Sequence, residues 1–414
     1  MSLLVGAPPT RRRIRRGLGL LGDSFSGNCH TIAATAYATE NYGYAGALAA
    51  KVGLFPSYLD NQGKVGDNTG QFMARLPACL ASTTSDLWLL LSRTNDSTTS
   101  GMTLADTKAN VMKIVQSFMN TPGKYLIVGT GTPRFGTKAL TGTALAEATA
   151  YKDWVLQYVQ TLVPVVNIWD GFTEDMTVEG LHPNILGADF IAGRLAPIIT
   201  ANFEFFGVPL PTDAADLYSA IRPFGCLNAN PLMTGTAGTI NTSVNPVAGS
   251  VLADNYKASG SNLSGVTTRW YKEAAAFGEA QCIELGGTMA AAGGYLYLQQ
   301  NANLTLTNLA AGDVIEMVSA PEIVGTTRGI LGWEAELIIT KPVSGTSTII
   351  YYRSMDKYQE PFTLPANWKG ALETQRYTYD ATETVITSRM GLYLATGIAL
   401  DSKVKVSQYG VRKV

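Results

Sequence analysis

Histidine is almost absent from this chain: two in 414 residues, His30 and His182, far apart. Neither sits near a Cys/His cluster, so no zinc or transition-metal ligand set is recognisable and no metal is expected. Cysteine is scarce too. Cys29, Cys79, Cys226 and Cys282 show no Cys-x-x-Cys spacing, and free buried thiols are expected. Charge is sparse and balanced, 31 Lys+Arg against 32 Asp+Glu, which excludes a general nucleic-acid binder. No apolar run approaches the ~18 residues of a membrane-crossing helix, so no membrane partner is expected. Five arginines within residues 11–16 precede the apolar run Gly17–Gly22 and imitate a signal peptide. That run is too short and meets Asp23-Ser24 without a small-residue cleavage site, so no signal sequence is expected. Asn61-Gln62-Gly63-Lys64 lacks the Gly-x-x-x-x-Gly-Lys-Ser/Thr pattern of a phosphate loop. No cofactor is implied.

What is present is enough apolar sequence, 46%, for more than one packed domain. Residues 1–13, with Pro8, Pro9 and the first arginines, read as an extended basic arm. Over 14–206 short apolar runs alternate with helical stretches. Strands are expected at 14–21, 86–91, 124–129 and 163–169, and helices at 44–52, 104–119, 144–162 and 183–200. Continuous apolar strands separated by helices mean a parallel sheet covered on both faces, an α/β domain. Residues 207–252, rich in Pro, Gly, Thr and Asn, read as a linker. From 253 to 414 the pattern turns β-rich, as in Gly294-Tyr295-Leu296-Tyr297-Leu298 and Glu336-Leu337-Ile338-Ile339. An all-β sandwich of jelly-roll-like form is expected there. Trp270, Trp333 and Trp368 are read as its core in preference to sugar-stacking platforms.

Four separated segments carry chemistry. Gly22-Asp23-Ser24 closes the first strand and exposes a hydroxyl at a turn. Asn61–Thr69 is a glycine-rich loop before a helix, containing Gly66. Thr94-Asn95-Asp96 follows the Trp88 strand. Glu179-Gly180-Leu181-His182-Pro183-Asn184 opens the last helix. A serine, a histidine and an acid are the parts of nucleophilic acyl transfer. In this order and spacing the segments resemble the four blocks of the SGNH (GDSL-type) hydrolase family, over roughly residues 14–200, and the resemblance implies a flavodoxin-like, three-layer form for the α/β domain.

The resemblance implies Ser24 as nucleophile, His182 as its base and Glu179 as the acid that orients the imidazole. The implied oxyanion hole is the Ser24 and Gly66 main-chain N–H groups with the Asn95 amide. Two departures stand out. Glu179 occupies the place of the family's usual Asp, leaving Asp170 and Asp175 as alternative orienting groups. Arg93 stands where the family's third block has glycine, and it is expected to narrow the pocket or meet an anionic group. Asp23 is read as a turn carboxylate bonded to loop amides, and His30 as structural.

The expected function is a serine esterase that removes short acyl groups, above all O-acetyl, from a carbohydrate through an acyl-serine intermediate. Its expected partner is an acetylated polysaccharide, in a virion-associated or extracellular setting, with a homo-oligomer such as a trimer or a tail assembly as context. The alternatives are a non-enzymatic glycan-binding or structural tail protein with a remnant hydrolase domain, and a lipase- or thioesterase-type hydrolase.

Overall fold

The computed structural model describes residues 11–15, 17–32, 39–41, 43–91, 93–96, 101–205, 210–341, 345–353, 366–367, 369–374 and 376–414. In chain order the first half comprises β1 (Arg12–Arg13), β2 (Gly17–Gly22), α1 (Ser24–Gly27), β3 (His30–Ile32), β4 (Thr39–Asn41), α2 (Gly43–Val52), β5 (Phe55–Gly63) and α3 (Thr69–Ala81). It continues with β6 (Ser85–Leu90), α4 (Leu104–Met119), β7 (Tyr125–Gly129), α5 (Gly142–Gln157), β8 (Val165–Val166), α6 (Ile185–Asn202) and β9 (Phe203–Glu204).

Strands β5-β2-β6-β7-β8 form one sheet in that order, all parallel. The chain starts in the middle, steps to one side, then returns and fills the other, which is the flavodoxin-like order. Alternation along each strand decides what it covers. Leu18, Leu20, Leu87, Leu89 and Ile127 enter one core with residues of α2 and α6. Leu21, Trp88, Leu90, Leu126 and Val128 enter a second with α3, α4 and α5. Both faces are buried, hence the continuous apolar strands. Gly19 leaves room for a neighbour, since a Cβ there would lie 2.2 Å from the Trp88 indole.

The helices begin where short polar residues cap them. Asn68 with Gln71, and Thr103 with Asp106, form reciprocal capping boxes at α3 and α4. Three details depart from the sequence reading. The last strand shrinks from the expected 163–169 to Val165–Val166, an edge position with one partner. Strand β5, Phe-Pro-Ser-Tyr-Leu-Asp-Asn-Gln-Gly, is not expected from the sequence because a proline and polar residues hide its period. Of the expected arm, residues 1–10 lie outside the described residues. Arg12 and Arg13 pair in parallel with Phe203 and Glu204, and Arg15 is ion-paired with Asp86, so this stretch is pinned to the domain.

The second half holds β10 (Ala237–Ile240), β11 (Leu252–Ser261), β12 (Val266–Ala274), β13 (Glu279–Thr288), β14 (Gly294–Gln300), β15 (Val314–Arg328) and β16 (Ile330–Thr340). After these come β17 (Gly345–Arg353), β18 (Leu372–Glu373), β19 (Tyr377–Thr378), β20 (Val385–Leu394) and β21 (Ala399–Lys413). They build two sheets, ordered β10-β11-β14-β20-β16-β17-β4-β3 and β12-β13-β21-β15-β18, with β19 also on β15. Tyr256 of the first sheet meets Tyr409 of the second edge-on, ring centroids 5.3 Å apart, inside a shared apolar core. Trp270 and Trp333 are fully buried in it, while Trp368 lies outside the described residues. Strands β3 and β4, from the first half of the chain, extend the first sheet through a parallel pairing of Thr39–Asn41 with Ile350–Tyr352. Residues 226–228 bond to β21 at Tyr409, Val411 and Arg412. Among the described residues no helix is long and apolar enough to cross a membrane.

Candidate active site

Beyond the carboxyl end of β2 the chain turns sharply at Asp23 into the single turn of α1. Asp23 is fully buried, and its carboxylate accepts from Phe25 N at 3.0 Å and from Thr94 N at 3.0 Å. One side chain therefore caps the turn that bears Ser24 and holds the Asn95 loop beside it. As the first residue of that turn, Ser24 keeps a main-chain N–H that the turn itself does not engage.

The histidine arrives on a different device. Between α5 and α6 the chain folds back on itself, with Val178 N donating to His182 O at 3.0 Å and Asn184 N to Met176 O at 3.0 Å. Gly180 makes this reversal possible. Its φ is +81°, and a Cβ there would lie 2.2 Å from the Phe135 carbonyl oxygen. Asn184 then caps α6 by accepting from Leu186 N and Gly187 N. The reversal places Glu179 and His182 side by side, with the Glu179 carboxylate bonded to His182 Nδ1.

The other ring nitrogen, Nε2, lies 3.0 Å from Ser24 Oγ. Ser24 is only 4% exposed, and the His182 ring sits 6.0 Å from the Phe25 ring centroid. With the carboxylate accepting from Nδ1–H, Nε2 is left as the acceptor for the serine proton. The alternative acids lie elsewhere. Asp170 is exposed, held by Asn167 and facing Lys152, and Asp175 accepts from Thr173.

Gly66 belongs to a turn in which Asp67 N donates to Lys64 O at 3.3 Å. A φ of +84° at the third residue marks the turn class that requires glycine there. Nothing lies within 4 Å of a Cβ built on Gly66, so glycine serves the backbone conformation and not a tight fit. Asn95 Nδ2 donates to Asp67 O at 3.0 Å, tying the third segment to this turn. Asp96, almost fully buried, accepts from Thr69 N, Thr69 Oγ1 and Thr107 Oγ1, anchoring the Asn95 loop to the starts of α3 and α4. Sequence reasoning missed this anchor, although Thr-Asn-Asp lying between two helices with polar caps was its trace.

Ser24 and His182 line one pocket with Phe25, Asn28, Cys29, Gly43, Tyr44 and Pro183. Burial pushes the Cys29 thiol up to about 12, so it stays protonated beside the serine and is no rival nucleophile. Tyr44, raised by burial as well, shares a hydrogen bond of 2.8 Å with Ser26 Oγ and braces the turn from behind. Arg93 corrects the expectation made for it. It is 6% exposed, outside the pocket lining, with its guanidinium 5.0 Å from the Tyr151 ring centroid, and burial lowers its pKa. It packs inside the domain against Tyr151 and does not line the pocket at Ser24. All four cysteines are buried and unpaired.

No family model matches the chain, and no curated protein matches it. Several solved structures are similar to part of it. A GDSL-like lipase from Bacteroides thetaiotaomicron is 15% identical, with 45% of this chain and 88% of that chain covered and a TM-score of 0.34. A carbohydrate esterase family 3 structure from Talaromyces cellulolyticus is 20% identical, over 44% and 96% of the two chains, with a TM-score of 0.33. The lipase/acylhydrolase from Enterococcus faecalis is 16% identical, over 46% and 97%, with a TM-score of 0.35.

Proposed function

We propose that this protein is a serine ester hydrolase that removes short acyl groups, acetyl foremost, from a hydroxyl-rich alcohol such as a polysaccharide. The observation that carries the proposal is the unbroken line from the Ser24 hydroxyl through His182 Nε2 and Nδ1 to the Glu179 carboxylate. In the first step Ser24 Oγ bonds to the acyl carbon while its proton passes to Nε2. Glu179 stabilises the imidazolium that forms. The carbonyl oxygen, now an oxyanion, faces the Ser24 N–H, the Gly66 N–H and the Asn95 amide, whose plane is set by its bond to Asp67 O. Collapse breaks the ester C–O bond, and the leaving alcohol takes the proton from His182. Water repeats the sequence on the acyl-serine and releases the acid.

The short-acyl preference follows from the pocket beside Ser24, small and walled by Phe25, Cys29, Tyr44 and Pro183. Among the described residues these walls suit a short acyl group, which favours the esterase reading over the lipase alternative. The polar groups tied to the serine turn, Asn28 and the Lys64–Asp67 turn, suit a polyhydroxylated alcohol.

The test is acetate release from an aryl acetate and from a panel of acetylated bacterial polysaccharides, with aryl esters of rising chain length as the acyl ruler. Wild type is expected to favour acetate over longer acids and to release it from at least one polysaccharide, with Ser24→Ala inactive throughout. Wild type no faster than Ser24→Ala on every substrate would defeat the proposal.

A further inference from the structure

Arg75 lies on α3, a full element away from the triad, yet its guanidinium reaches three groups of the site. Nε donates to Gln62 O at 2.8 Å, Nη2 to Gly22 O at 3.0 Å, and Nη1 to the Asp67 carboxylate. Gly22 precedes Ser24 by two residues, and Gln62 and Asp67 bracket the turn that carries Gly66. Gly22 O also accepts from Lys64 N at 3.0 Å, so strand end and turn are already neighbours. The planar fork of arginine satisfies all three acceptors at once, which the single ammonium of lysine cannot do with the same geometry. The Arg75 side chain is 19% exposed and that of Asp67 is 6% exposed, so water competes weakly for this pair.

What the clamp controls is an orientation. In a four-residue turn, the N–H of the third residue belongs to the central peptide, here Val65–Gly66. The two common turn classes differ by a flip of that peptide. Gly66 at φ +84° is in one of them, with its N–H on one side, and the flip would send the N–H to the opposite side. No atom of the described residues lies within 4 Å of a Cβ built on Gly66, and Val65 is 64% exposed, so side-chain packing at the tip does not choose between the two. The choice is left to the ends of the turn. Lys64 is held by Gly22 O, and Asp67 by Arg75 through its carboxylate and by Asn95 through its carbonyl.

Resting on the ester-hydrolase reading above, we infer that Arg75 is a positioning residue, holding the Gly66 amide and the Ser24 turn in the register that binds the oxyanion. Asp67 is the group through which it acts. Arg75 touches no reacting atom. Its loss therefore misplaces a donor needed in the transition state, lowering kcat and leaving KM nearly unchanged.

The experiment measures kcat and KM on an aryl acetate for wild type, Arg75→Ala, Asp67→Asn and the double variant, with Ser24→Ala beside them. Arg75→Ala is expected to lose about 10- to 100-fold in kcat, with KM within about twofold. Guanidinium at sub-denaturing concentration restores part of the loss, and equal ionic strength from sodium chloride does not. Because the two residues act as one unit, the double variant is little worse than Arg75→Ala alone. If Arg75→Ala does not fold, Asp67→Asn keeps the side-chain shape and carries the test, with a kcat loss and KM held. A kcat within about twofold of wild type in the folded variants overturns the clamp. So does a loss shared with KM that guanidinium leaves untouched. An active wild type with a dead Ser24→Ala upholds the ester-hydrolase reading in either case, whereas an active Ser24→Ala sinks that reading.

Discussion

Two groups of buried polar side chains, one in each half of this molecule, sit in different places. In the α/β half, Asp23, Ser24, Asp67, Thr69 and Asp96 are each at most 5% exposed, and all sit on loops or at first helical residues beyond the carboxyl ends of β2, β5 and β6. In the sandwich, Glu316 and Glu336 are at most 1% exposed and sit inside strands, each opposite a cation on the neighbouring strand. Glu316 faces Arg412 across β15–β21, and Glu336 faces Arg389 across β16–β20. A carboxylate within a ladder can only be aimed at its neighbour, so its energy goes into the sheet. A carboxylate or hydroxyl on a loop at a strand end can be aimed at a point in space where a ligand fits. Substitutions in the first group should therefore change rate, and those in the second stability.

The largest expected effect that sharpens this contrast is at Ser24. Ser24→Ala is expected to lower kcat by about 10⁴-fold or more with the urea unfolding midpoint unmoved, read by initial rates and by denaturation followed through tryptophan fluorescence. Glu179→Gln comes next, with a loss of about 10²- to 10⁴-fold, because an amide can hold the ring in the wrong tautomer and cannot stabilise its charge. Gly66→Ala should cost about 10- to 10³-fold in kcat. A Cβ there meets nothing, so the loss must come from the backbone conformation, and circular dichroism melting should show a near-native midpoint.

In the sandwich the pattern should invert. Glu316→Ala leaves Arg412 buried without its carboxylate and is expected to cost about 3–5 kcal/mol in urea unfolding, with kcat on an aryl acetate unchanged. A large rate loss there would break the comparison. The smallest effect concerns acid. Glu273 is held down to about 2 by Lys403 and Lys405, against an unfolded value of 4.5. Its folded pKa is depressed, so its stabilisation is present above 4.5 and is lost as pH falls through 2. Glu273→Gln should therefore show a shallower fall in melting temperature than wild type between those two values, measured by scanning calorimetry in a pH series. An equally steep fall would remove Glu273 from the account.

How much of this could be read beforehand varies with the range of the interaction. Helix α4 was legible to the residue, because Leu104, Val111, Ile114, Val115 and Phe118 mark one face, and Thr103 and Asp106 fix its start in the structure. The Ser24 and His182 segments were legible as motifs, because each motif is local even though the two meet across 158 residues of chain. Strand β5 was not, since Pro56, Asp60 and Asn61 obscure its period and its place comes from pairing with β2. The addition of β3 and β4 to the sandwich sheet left no trace, because nothing local encodes a partner as distant in the chain as Ile350–Tyr352. Arg75 was invisible for a related reason. An arginine on a helix reads as a solvated charge until its three acceptors are known to converge.

The central claim is that Ser24 is a nucleophile activated by His182, and covalent labelling tests it most directly. Wild type treated with a fluorophosphonate and mapped by peptide mass spectrometry should carry one label, on Ser24, at a rate that collapses in His182→Ala. Labelling at another residue, or at Ser24 with undiminished rate in His182→Ala, would contradict the account.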